Sequence, residues 1–67
     1  MASTLYSPSK LSKWVFTTTT TGRVKCTRYE RDDQHQDEWG WVGSTFISRG
    51  NADMLYKARI FEGWTTC

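Results

Sequence analysis

Apolar and polar positions alternate along this chain with two periods, and the change of period divides it. Residues 12–19 (Ser-Lys-Trp-Val-Phe-Thr-Thr-Thr) and 23–31 (Arg-Val-Lys-Cys-Thr-Arg-Tyr-Glu-Arg) are rich in β-branched and aromatic side chains at period two. That pattern predicts two strands. Between them lies Thr20-Thr21-Gly22. A two-residue turn at Thr21-Gly22 pairs Trp14 with Tyr29 and Phe16 with Thr27, which sends Val24 and Cys26 to the face away from the aromatics. A three-residue loop with Gly22 in the left-handed region pairs Thr18 with Val24 and Phe16 with Cys26. It gathers Trp14, Phe16, Val24 and Cys26 on one side. A one-residue slip exchanges the faces of a strand, so burial favours the second register.

Residues 39–47, Trp-Gly-Trp-Val-Gly-Ser-Thr-Phe-Ile, are the richest apolar run and read as the central strand, with Gly40 and Gly43 marking bends or bulges. Arg49-Gly50-Asn51 then reads as a turn. Residues 52–62 fit two patterns. As a helix they place Met54, Leu55, Ala58 and Phe61 on one stripe, with Asn51 as N-cap, Asp53 in the first turn and Gly63 at C′. As a strand, Met54, Tyr56, Ala58 and Ile60 alternate with their neighbours. The Ala, Met, Leu, Lys, Arg and Glu content favours the helix. Trp64 then folds back onto the sheet.

The predicted fold is therefore α+β, a small three-stranded antiparallel sheet with one C-terminal helix packed on one face. The alternative is an all-β four-stranded meander. Residues 1–9, with Ser, Thr and Pro8 and little periodicity, read as a flexible N-terminal arm anchored by Leu5 and Tyr6. Residues 10–64 form a single small domain and 65–67 a C-terminal tail.

Composition sharpens this picture. In 67 residues, four Trp, three Tyr and three Phe are an economical core but leave little room for an active-site cleft. Whether all of them fit inside is open, and any surplus would form an exposed aromatic patch of the kind that anchors interfaces. Cys26 and Cys67 make no disulfide framework. With no leader-like N-terminal run and no apolar stretch approaching ~18 residues, the expectation is a cytoplasmic, intracellular protein with free thiols and no membrane association. A Cys26–Cys67 bridge stays open if the tail folds over the first hairpin.

The net charge of +2 is mild, but its distribution is uneven. Lys10, Lys13, Arg23, Lys25, Arg28 and Arg31 face Glu30 alone over residues 10–31, a local +5, whereas Asp32, Asp33, Asp37 and Glu38 crowd residues 32–38. This acidic run reads as a solvated, mobile loop. Its His35 matches neither calcium-loop spacing nor a zinc site, which needs several His or Cys ligands. A lone histidine in such a loop is poorly placed as an oriented base. No enzyme, metal, cofactor or small-molecule substrate is expected.

The best candidate surface is the hairpin's outward face, with Lys13, Arg23, Lys25, Thr27, Tyr29 and Arg31, joined by Trp41 and Trp64 as exposed aromatics. The function expected from this is non-catalytic attachment to a protein or nucleoprotein partner. The role is that of an accessory regulator or inhibitor, of the kind small viral or mobile-element genes encode. The alternative is sequence-tolerant nucleic-acid binding through the basic hairpin face, where cations meet phosphates and Tyr29 stacks on a base.

Overall fold

A computed structural model of the chain describes residues 2–66. Strands β1 (Ala2–Tyr6), β2 (Ser12–Thr18), β3 (Val24–Glu30) and β4 (Gly40–Ile47) form one antiparallel sheet in that order. Helix α1 (Arg49–Phe61) follows and covers one face. The α+β class with a C-terminal helix holds, and the helix sets the all-β meander aside. The sheet has four strands rather than the expected three.

The extra strand comes from residues read as an arm. β1 pairs with β2 from Ala2↔Thr17 to Tyr6↔Lys13, and Leu5 is 0% exposed, the largest fully buried side chain. Five residues whose apolar members are Ala2, Leu5 and Tyr6 carry no readable period. This segment is a strand because β2 offers it an edge and the core offers Leu5 a site. The run 39–47, expected as the central strand, is β4 at the sheet's edge because it pairs with β3 alone, and β2 and β3 are central.

The β2–β3 hairpin has the three-residue loop and the register expected of it, Phe16↔Cys26 and Thr18↔Val24. Gly22 sits at φ +84°, donating from its N–H to the Thr19 carbonyl at 3.2 Å, while Thr19 N–H donates to the Arg23 carbonyl at 3.0 Å. Glycine takes that φ without steric penalty.

Helix α1 begins at Arg49, so Arg49-Gly50-Asn51 is its first turn and not a separate one. Ser48 is the N-cap, its hydroxyl accepting from Asn51 N–H at 3.2 Å, and Asn51 lies inside the helix. Asp53 falls beyond the first turn. The buried face is also rotated from the expected stripe. Ala52, Leu55 and Tyr56 pack on the sheet, while Met54 and Phe61 are 71% and 93% exposed. Helical phase is set by how the chain leaves β4 and by where Trp64 must land. The C-terminus agrees with expectation: Gly63 takes φ +102° at C′ and donates to the Ile60 carbonyl, and Trp64 N–H donates to the Arg59 carbonyl, each at 3.0 Å. These bonds make a Schellman motif. It turns the indole of Trp64 onto Trp14, ring centroids 5.2 Å apart. Thr65, expected in the tail, instead bridges Tyr6 through reciprocal backbone bonds of 2.7 and 3.0 Å.

Leu5, Phe16, Val24, Cys26 and Ala52 form the core, with Trp14, Ile47, Leu55, Tyr56 and Trp64 packed around it. Cys26 is a buried free thiol, while Cys67, and with it the Cys26–Cys67 bridge, lies outside the described residues. Burial pushes the Cys26 thiol above its ordinary value, with Arg28 opposing. The unfolded chain then gives up this proton first. Cys26 contributes stability below the unfolded thiol value of about 8.5, and that stability is lost as the pH rises through the higher folded value. Urea melts of the wild type between about pH 8 and pH 10 are expected to show a steeper loss than those of Cys26→Ala. Equal slopes would refute the shift.

Candidate functional site

The helix covers one face of the sheet, and the other is open. Cross-strand register lays the open face out in rows. One row runs across all four strands as Tyr6↔Lys13↔Tyr29↔Trp41. The next is Thr4↔Val15↔Thr27↔Ser44, and the third carries Thr17↔Lys25↔Phe46. Two rows of aromatic and cationic side chains thus flank a row of small ones. Residues two apart in a strand are about 6.6–6.8 Å apart, so the outer rows stand roughly 13 Å from each other. The middle row is the floor, with Thr27 only 8% exposed.

A β-bulge brings Trp41 to this face. Ile47, Thr45 and Gly43 pair with Val24, Cys26 and Arg28 on the helix side. Strict alternation would put Trp41 on that side as well. The register shifts between Arg28 and Tyr29, so Trp41 lies opposite Tyr29 and Val42 is the extra residue. A bulge inserts one residue and re-aims the side chains beyond it. Trp41 is left 65% exposed and Phe46 57%, both on the open side.

Trp39, just before β4, closes one end of the first row. Its ring lies 6.1 Å from that of Tyr6, with the Lys13 ammonium 4.7 Å and the Arg31 guanidinium 4.1 Å from its centroid. Lys13 also stands 5.1 Å from the Tyr29 ring. Partial burial, with the neighbouring Arg31 charge second, lowers the Lys13 pKa. Arg31 is a strut as well: its Nε donates to the Lys10 carbonyl and an Nη to the Gln36 carbonyl, each at 2.8 Å. Within the exposed acidic loop, His35 N–H donates to Asp33 Oδ1 at 2.9 Å. Among the described residues, no three His, Cys, Asp or Glu side chains converge on a metal-holding position.

The electrostatics of the face are one-sided. Glu30 is the only acidic residue in the four strands, and alternation puts it on the helix side, near Trp14, Arg28 and Trp64. The open rows hold Lys13 and Lys25 and no carboxylate.

Of the residues singled out in the sequence, Lys13, Lys25, Thr27, Tyr29 and Trp41 are brought together here. Arg23 is exposed at the hairpin turn beside them. Arg31 is committed to the loop and to Trp39. Trp64 does not belong to the face: it is half-buried against Trp14 under the helix. Sequence reasoning missed Tyr6, Trp39 and Phe46. Phe46 was readable, since it alternates with core-facing Ile47. Tyr6 lay in the presumed arm, and no local signal placed Trp39.

The fold and site define a small α+β protein with a helix-backed antiparallel sheet and an open aromatic-basic face. No family model, curated protein or solved structure matches the chain.

Proposed function

We propose that this protein is a non-catalytic binding module that takes single-stranded nucleic acid across its open sheet face, with little dependence on sequence. The observation that carries this reading is the layout of that face. Exposed Trp41 and Phe46, with Tyr29, Lys13 and Lys25, border a floor of small residues that bears no carboxylate. Bases stack on such rings for about 1–3 kcal/mol each, whatever their identity. Lysines meet the phosphates without reading sequence. A flat face suits unstacked bases, whereas reading duplex DNA calls for an element that enters a groove.

This reverses the order of the two readings the sequence supports. Attachment to a protein or nucleoprotein partner, as an accessory regulator or inhibitor, takes second place. It is favoured by Met54 and Phe61, which stand exposed on the outer side of α1, away from the sheet.

The test is a fluorescence titration with short single-stranded and duplex DNA and RNA at several salt concentrations. Single strands are expected to quench the tryptophan emission and to bind more tightly than duplexes. Log affinity should fall with log salt at a slope of about −0.7 for each phosphate neutralised. No quenching by any single strand at low salt would reject this reading and leave the protein-partner one.

A further inference from the structure

The two edges of the sheet are built differently. β1 is short, and its Tyr6 end is paired with Thr65. Short or covered edges are how sheets avoid joining other strands. β4 has eight residues, none charged and none proline, and six of them are exposed. Its outward backbone groups have no partner strand among the described residues. The bulge disturbs the edge near Trp41 and Val42, but Gly43–Ile47 pairs regularly with β3.

We infer that β4 is an interface for a second copy of this chain, joined antiparallel through the stretch Gly43–Ile47 to give a continuous eight-stranded sheet. Only another strand offers N–H and C=O groups at the matching spacing. The flanks favour this chain itself as that strand. Asp37 and Glu38 precede β4 and Arg49 comes after it, so an antiparallel pairing centred on Thr45 sets Arg49 of each copy beside the Gly40–Trp41 start of the other strand, toward the end where its acidic pair lies. No charge within the strand opposes the approach. The blunted β1 edge stops the assembly at two copies, and a two-fold pairing is closed.

The two-fold axis stands normal to the sheet, so both open faces lie on the same side. Each copy's Phe46 and Trp41 then flank the junction. This inference rests on the β4 edge and stands whether or not the face takes nucleic acid.

The test measures mass by light scattering from micromolar to millimolar protein, with amide exchange in parallel. The mass is expected to rise toward twice the 7.8 kDa of one chain, with concentration-dependent protection of β4 amides. Thr45→Lys puts a cation beside its own symmetry mate on the side away from the open face. It should raise the dimer Kd roughly tenfold or more and leave the far-UV circular dichroism unchanged. If Thr45→Lys unfolds the chain, exchange on the wild type carries the test. A constant monomer mass would overturn the inference. So would protection confined to α1, or growth into larger assemblies.

Discussion

Leu5→Ala is expected to unfold much of the protein at modest urea, although residue 5 lies in a segment whose sequence reads as an arm. Leu5 is 0% exposed and sits in the core with Phe16, Val24 and Cys26. Truncating a buried leucine costs about 2–5 kcal/mol, because transfer energy is lost and a cavity remains. At roughly 0.05–0.15 kcal/mol per residue, a chain of this length has only about 3–10 kcal/mol in total. The urea midpoint, followed by circular dichroism and tryptophan fluorescence, should drop by about 2 M or more if m is near 1 kcal/mol/M. Phe61→Ala is the matched control. Its ring is 93% exposed, and truncation should change stability by less than about 0.5 kcal/mol. The periodicity of residues 52–62 alone implies the opposite ranking, since it places Phe61 in the core stripe. Similar losses for the two variants would refute both the placement of β1 and the phase of α1.

Replacing Trp41 by Ala and Lys25 by Glu together should lower single-strand affinity by about a hundredfold or more at low salt. The first change removes a stacking platform, for about 1–3 kcal/mol. The second removes a phosphate contact, which lowers the salt slope by about 0.7, and also adds repulsion. Both residues are exposed, so the far-UV spectrum and the urea midpoint should stay near those of the wild type. Trp64→Ala separates the site from the other tryptophan singled out in the sequence. Trp64 packs on Trp14 on the helix side, so its loss should cost stability and spare the affinity of the folded fraction. If Trp64→Ala weakens binding more than Trp41→Ala does, the open face is not the binding surface.

Several elements are set by local chemistry and are legible in the chain alone. The β2–β3 register comes from a left-handed Gly22 together with the gathering of Trp14, Phe16, Val24 and Cys26 on one face. The end of the helix comes from Gly63, the residue that most easily takes the positive φ of a Schellman turn, and that turn returns Trp64 to the sheet. The existence of a helix near residues 52–62 is a matter of propensity. The basic, threonine-rich character of the outer hairpin face is equally local, because alternation assigns Lys13, Lys25 and Thr27 to it once the register is known.

The remaining features depend on contacts distant in sequence. β1 is a strand only against β2, and Leu5 is buried only because Phe16 and its neighbours enclose it. The position of β4 depends on pairing as well, since β4 joins the hairpin at β3 alone, which makes the richest apolar run an edge. One extra residue at Val42, accommodated where β4 meets β3, moves Trp41 from the helix side to the open side and so completes the aromatic row. The phase of α1 answers to its two anchored ends, which is why Met54 and Phe61 stay in solvent while Ala52 and Tyr56 are taken into the packing. Glycine conformation and strand alternation act over a few residues and can be read in order along the chain. Strand neighbours, bulge placement and helix rotation are fixed by burying one shared surface, a property of the assembled protein that no local window of its sequence contains.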